Sequence, residues 1–463
     1  MNLTELTWAT LNQALEVYQD NPRATRWLHR HLARFSEPLR LAIVGAAGSG
    51  KSTLVNALVG EQVELGIGVT AEYRASSVPS ATVYPSAAPP WELPVARVDR
   101  RLRLDQVGLD VSGTERVVVS WPSRSLRDLI LIDAGVGAQR PDCDAVLFLL
   151  PRPQGADLQP LRAVHDNPVA GATPVNALVV LSRSDELGAG RVDALISARQ
   201  IARRHRLEAE LRELCQDVVP VAGLVASAGR TLEESEFEAL AALSLLPRAE
   251  LDPHLLSVDR FAHQDSPLPC ALAMRELLLH RLGLFGLRLA VTLIRQGSDT
   301  VPTLAAQLVQ RSGFGELRDS ISLYFTDRTP VFKARSALIA LEVLVRMEPH
   351  PGGAALAAAL DRALAGAHDF RELRLIASLR TGKVVLPEDL AADALRLVGG
   401  NGTSLPARLG LADEPSATEV QYLLSDILRR WHDHAENPLL GAEERRAALV
   451  VIRSCEGLVS VPA

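Results

Sequence analysis

Apolar residues recur along the chain with two different periods, and the change between them falls near residue 265. Leu3, Leu6, Leu11, Leu15 and Tyr18 return at helical spacing, so residues 3–18 predict an amphipathic helix. Residues 22–36 predict a second, with Pro22 suited to a first helical turn. From 38 to 260 short β-rich runs alternate with helical patterns. The runs are Leu39–Val44, Ser76–Tyr84, Arg116–Trp121, Leu129–Ile132, Ala145–Leu150, Ala177–Leu181 and Val218–Val221. Strands alternating with helices predict a mostly parallel sheet covered on both faces. The segment 85–128 is proline-rich and then irregular, with room for two extra strands.

Beyond 265 the strand signals vanish. Leu/Ala/Arg-rich helical patterns follow, about eight by periodicity. They are punctuated at Gly297, Gly313, Pro330, Pro349–Gly353, Thr381-Gly382, Gly399–Gly402 and Asn437-Pro438. Helix-on-helix packing should build an all-α bundle here. The two N-terminal helices have no sheet to join and are expected in the same bundle. The α/β part would then be inserted between two pieces of a helical body.

Composition narrows the picture only modestly. With 463 residues the chain can hold more than one domain, and its net charge of −6 gives no global pull toward nucleic acid. Cys143, Cys215, Cys270 and Cys455 are scattered without a C-x-x-C pair, which argues against a disulfide frame or a zinc site. No signal peptide is visible in Met1–Leu6, and no uncharged apolar stretch of about 18 residues predicts a spanning helix.

The candidate chemistry starts at Leu39–Val55, which reads as strand, glycine-rich loop and helix. Gly45 to Ser52 fits G-x-x-x-x-G-K-[ST] at every fixed position. In such a loop the backbone N–H groups around Gly45, Gly48, Ser49, Gly50 and Thr53 wrap a polyphosphate, and the helix N-terminus adds positive potential. Lys51 reaches the outer phosphates and Ser52 the Mg²⁺. Lys51 is one of three lysines, with Lys333 and Lys383, in a chain that otherwise uses arginine. Asp133, closing the run Leu129–Asp133, suits the Mg²⁺ shell, and Thr70 in Gly68–Ala71 is the best switch threonine for the same ion and for catalysis. Asp185 in Val179–Asp185 suits a divergent [NT]-K-x-D element, in which a carboxylate accepts both N–H groups of the guanine edge. Arg183 then stands for the usual lysine and Ser182 for the Asn or Thr. The alternative for Asp185 is a helix cap. Ala222 and Gly223, in Val219–Leu224, suit a backbone contact to the base.

On these residues the chain resembles bacterial dynamin-like GTPases of the mycobacterial isoniazid-inducible type. The resemblance covers most of its length. It is carried by Gly50–Gly60, Val218–Leu224, Leu256–Phe261, Asp265–Pro269 and Leu282–Gly286. It implies an α/β P-loop GTPase domain at 38–262, N-terminal bundle helices at 1–37 and an all-α helical neck and trunk at 263–463. It also implies GTP/GDP and Mg²⁺ as cofactors, and assembly with itself or a dynamin-like paralogue through the GTPase head. The expected place of action is the cytoplasm, peripheral to an anionic membrane at the inner face of the plasma membrane.

Two departures stand out. Ala46, Ala47 and Gly48 occupy loop positions where this superfamily often carries polar groups. Glycines follow Asp133 at 135 and 137 rather than in D-x-x-G spacing, and only seven residues separate Gly137 from Ala145. Both point to binding with slow hydrolysis, because phosphoryl transfer rests on positioning and electrostatics. The rival reading is a non-catalytic nucleotide-binding scaffold for an active relative. Elsewhere, Arg203–Arg206 reads as a solvated helix face and His432-Asp433-His434 as surface residues. Leu277–Ile294 reads as a buried hinge around Gly283 and Gly286. Pro349–Gly353 and Val384–Pro387 remain two alternative lipid-contact loops.

Overall fold

The computed structural model describes residues 3–64, 69–98, 101–104, 113–135, 142–151, 158–159, 161–162, 176–190, 194–413 and 415–459. Gly68 and Gly137, named above beside the candidate cation residues, lie outside them. The strands are β1 Leu39–Gly45, β2 Gln62–Glu64, β3 Ala71–Ala75, β4 Ser80–Pro85, β5 Trp91–Leu93 and β6 Val95–Val98. They continue with β7 Arg101–Leu104, β8 Thr114–Trp121, β9 Leu129–Asp133, β10 Ala145–Leu150, β11 Ala177–Leu181 and β12 Val218–Pro220.

Nine strands form one sheet in the order β12-β11-β10-β1-β9-β3-β8-β4-β5, and β2-β7-β6 form a small second sheet. The five strands β12 to β9 are mutually parallel; β3 runs antiparallel to β9 and opens a mixed extension. Continuous apolar runs such as Ala145–Leu150, buried at every position, are what a sheet covered on both faces requires. One face packs Leu41, Ile43, Leu147 and Val180 against Leu54 and Leu58 of helix Lys51–Val59 and Phe314 of helix Phe314–Tyr324. The other packs Phe148, Val179 and Leu181 toward helices Ala194–Arg206, Gly223–Arg230 and Leu272–Arg295.

β3 was missed in the sequence because Glu72 and Arg74 break its apolar pattern. The structure supplies their partners. Buried Arg40 donates from Nη2 to Glu72 Oε1 at 2.6 Å, and Arg74 pairs with Glu72 at 2.8 Å and Glu37 at 3.1 Å. The backbone N–H of Arg40 donates to Asp144 Oδ2 at 2.9 Å, and Lys333 Nζ reaches the same oxygen at 2.8 Å. This buried charge network ties the N-terminal edges of β1 and β10 to helix Thr329–Met347. His31 lies close by; burial, then Arg34, push its ring down to about 4, so it stays neutral at ordinary pH.

The two N-terminal helices, Leu3–Val17 and Pro22–Phe35, bury Leu11, Ala14 and Leu28 against Ala334, Leu338, Leu341 and Leu356 of the C-terminal half. Asn21 caps the second, accepting from the N–H groups of Arg23 and Ala24, both at 3.1 Å. Among the described residues ten α-helices follow residue 265, and Pro330 opens one of them rather than breaking it.

Helix Leu272–Arg295 is, among the described residues, the one long and apolar enough to cross a membrane by length and composition. Its packing is that of a core helix. Arg281 is buried and makes a bidentate pair with Glu236, at 2.6 and 3.0 Å. Gly283 interrupts it at φ 64°, ψ 176°, the bend expected from the glycine pattern.

Lys333→Met leaves the Asp144 carboxylate buried beside Arg40 without its ammonium partner. We expect a loss of about 3–5 kcal/mol in urea unfolding; a loss under about 1 kcal/mol would show that Asp144 is satisfied without Lys333.

Candidate nucleotide site

The site grows out of the end of β1. The chain leaves the sheet at Gly45, turns through Gly48 (φ 71°) and Gly50 (φ 94°), and enters helix Lys51–Val59. Both left-handed positions need glycine. Gly45 is needed for a different reason: a Cβ there would lie 2.7 Å from Ser49 Oγ and 2.9 Å from the Leu149 carbonyl oxygen. Lys51 is almost fully buried over this loop, with Nζ donating to the carbonyls of Gly45 at 3.0 Å and Ala46 at 3.1 Å.

Parallel pairing sets the second element. β1 and β9 run in a register that places Ile43 beside Asp133. Asp133 therefore emerges at the same edge as the loop, where Ser52 Oγ donates to its Oδ2 at 2.9 Å. Burial raises the Asp133 carboxyl, opposed by the Ser52 hydrogen bond and the Lys51 charge. Thr70 joins them through the antiparallel β3–β9 pair: Ala71 is the partner of Asp133, so half-buried Thr70 directly precedes it. An alcohol and a carboxylate converging here form an oxygen donor set suited to a hard divalent cation. Tyr73, whose hydroxyl is raised by burial and by Asp133, stands behind.

Between the loop and the end of β11 lies a cleft with about 520 Å³ of empty volume, open to solvent and lined by Ser49, Gly50, Thr53, Ser182, Asp185 and Gly223. Asp185 lies in the first turn of the short 3-10 helix Ser184–Gly190 and is 7% exposed. Burial pushes its carboxyl up to about 6. Just before it, Arg183 is the one non-glycine residue with positive φ (52°) among the described residues. Backbone strain of this kind collects at ligand sites. Its half-exposed guanidinium pairs with Glu186 at 3.2 Å. Ser49 Oγ and Ser182 Oγ are buried and have no hydrogen-bond partner. Two orphaned hydroxyls facing one cleft are what a polar ligand would satisfy.

The structure thus brings together Gly45, Gly48, Ser49, Gly50, Lys51, Ser52, Thr53, Thr70, Asp133, Arg183, Asp185 and Gly223. Ala222 differs: its N–H already donates to the Ser312 carbonyl at 2.8 Å. That bond, together with Gly313 packed on the Pro220 carbonyl oxygen, seats helix Phe314–Tyr324 on the loop that follows β12. Ninety residues separate Ala222 from Ser312, so no local sequence signal announced the contact.

A glycine-rich loop of P-loop pattern at the carboxyl ends of parallel strands, with the Ser52–Asp133 hydrogen bond beside it, defines a P-loop α/β fold. The chain belongs to the family of isoniazid-induced protein IniC. It is 34% identical to that protein from Mycobacterium tuberculosis strain H37Rv over 493 aligned positions, covering 99% of both chains. The protein of that name from strain CDC 1551 / Oshkosh matches equally. No protein-family model matches the chain. It is also similar, at 14% identity and a TM-score of 0.32, to a solved structure described as an oligomerised bacterial dynamin pair. That match covers 99% of this chain and 73% of the other.

Asp185→Asn removes a buried charge that folding disfavours. The folded-state pKa, about 6, lies above the usual carboxylate value, so the penalty is complete above pH 6 and gone below the unfolded value. The ligand-free variant should therefore be about 1–3 kcal/mol more stable at pH 7.5 in thermal melts and equal to the parent near pH 4. A gain that is the same at both pH values would contradict the burial argument.

Proposed function

We propose that the chain binds GTP and GDP with Mg²⁺ in this cleft, hydrolyses GTP slowly, and uses nucleotide state to control dynamin-like assembly and remodelling at an anionic cytoplasmic membrane. The observation that carries the reading is the Ser52–Asp133 hydrogen bond, made at the start of the helix whose preceding loop residues, Ser49 and Gly50, line the same cleft as Asp185. The nucleotide-binding unit is taken as 38–262, between helical parts 1–37 and 263–463. Self or paralogue association through that unit follows from the same family reading, and nucleic acid is not among the expected partners.

Each residue has a definite task. Lys51, held over the Gly45 and Ala46 carbonyls, neutralises phosphate charge. Ser52, Thr70 and Asp133 would hold Mg²⁺, which supplies charge stabilisation on the phosphates. Asp185, ionised at neutral pH, accepts from the guanine edge, and adenine offers no such donor pair. Ser49 and Ser182 bring hydroxyls to the same ligand. Slow turnover follows from Ala46, Ala47 and Gly48, which place no polar side chain where an attacking water needs orientation. The glycine spacing after Asp133, at 135 and 137 rather than D-x-x-G, favours a second reading, a non-catalytic scaffold whose bound nucleotide gates assembly with an active relative.

The test is GTP and ATP titration with a single-turnover hydrolysis assay. GTP should bind at least about tenfold tighter than ATP, Lys51→Ala should abolish binding, and Asp185→Asn should erase the preference. An unchanged preference in Asp185→Asn overturns the base assignment. Measurable but slow single-turnover cleavage fits the first reading, its complete absence the second, and fast cleavage by the isolated protein contradicts both. Gly45→Ala, which forces a Cβ onto Leu149 and Ser49, should weaken GTP at least about tenfold without unfolding the chain.

A further inference from the structure

The helical part carries a groove that shares no lining residue with the nucleotide cleft, with an empty volume of about 1050 Å³, between helices His368–Thr381 and Ala442–Val459. Its rims are arginine on both sides: Arg371 and Arg374 on the first helix, Arg446 and Arg453 on the second, all exposed. Glu443 shares the lining, and Arg374 donates to the carbonyls of Phe370 at 3.2 Å and Leu364 at 2.7 Å. Arg446 and Arg453 are held by ion pairs to Glu443 and Glu456, but their guanidinium side chains are 71% and 67% exposed and such pairs are worth little in water. A phosphate can displace them, since the guanidinium fork matches its oxygens.

Apolar side chains accompany the charge. Leu449, between Arg446 and Arg453 on the groove-lining face, is 55% exposed. Past the Gly382 cap of the first helix, Val384 and Leu386 are anchored inward while Val385 between them stands out, 69% exposed and two residues from exposed Lys383. The spacing of the helices is fixed from beneath. Glu372 accepts from Arg408 at 3.0 and 3.1 Å and from Ser454 at 2.8 Å. Burial would raise its carboxyl, but these bonds and His368 outweigh it and hold it down at about 2.

We propose that this groove and the Lys383–Val385 loop are the contact surface for an anionic phospholipid bilayer. The arginines take lipid phosphates, and Val385 and Leu449 enter the interfacial layer. The proposal rests on the membrane reading given above and locates it. Cations near an anionic surface contribute roughly 1 kcal/mol each, so a cluster of four with two apolar anchors can hold a protein there without a spanning helix. The other basic cluster, Arg203–Arg206 beside exposed Leu207, is the control surface. Arg206 is committed to Asp217 and to the Val218 carbonyl, and His205 to Glu208.

The test is flotation of the full chain with vesicles of equal parts phosphatidylglycerol and phosphatidylcholine, and with phosphatidylcholine alone. The parent should float only with the anionic vesicles. Arg446→Gln/Arg453→Gln and, separately, Val385→Asp should cut binding at least about tenfold, with melting temperature and GTP affinity unchanged. Arg203→Gln/Arg204→Gln should float like the parent. If the parent floats and both groove variants float equally well, the surface is wrongly assigned while the membrane reading stands. If the parent floats equally on both vesicle types, the charge argument fails. If it floats on neither, the membrane reading falls and takes this assignment with it.

Discussion

The parallel register of β1 between β9 and β10 is the constraint from which the candidate site follows. Pairing Ile43 with Asp133 on one side and Gly45 with Leu149 on the other brings the loop, the Asp133 carboxylate and the cleft holding Asp185 to one sheet edge. A shift of one residue in β9 would turn Asp133 to the opposite face and separate it from Ser52. The order of the strands places this edge where the chain progression reverses, the usual location of ligand crevices in open α/β sheets.

The opposite edge of the sheet carries the complementary constraint. Strands buried on both faces leave little room for charge, yet Arg40, Glu72 and Asp144 sit inside. They are tolerated because each meets an opposite charge, and one of those charges, Lys333, comes from the helical body. The body is joined again at the ligand edge, through Ser312 on Ala222 and Gly313 on Pro220, and alongside through the bent helix Leu272–Arg295. Helical and α/β parts are thus connected at both ends of the strands, by charge at one and by close backbone approach at the other.

Much of this was legible from local pattern. The P-loop, the runs of β1, β9, β10 and β11, the two N-terminal helices and the hinge glycine Gly283 all announced themselves by composition and period, because each is a local consequence of burial or φ. What stayed hidden was non-local. β3 was invisible because its charges find their partners in Arg40 and Glu37, and Ala222 gave no sign that Ser312 would take its N–H. Asp185 was legible as a residue type, but its raised carboxyl depends on burial that only the packed cleft creates. The arginines of the trunk groove lie on two helices about 70 residues apart, a juxtaposition that neither helical period displays.

The central claim is that Ser52 and Asp133, set side by side by strand register, hold the divalent cation of a bound guanine nucleotide. Calorimetric titration of GTP with and without Mg²⁺, in the parent and in Ser52→Ala, tests it most directly. The account predicts that Mg²⁺ tightens GTP binding in the parent and has almost no effect in the variant, while Mg²⁺-free affinities agree. Equal Mg²⁺ enhancement in both proteins would contradict it.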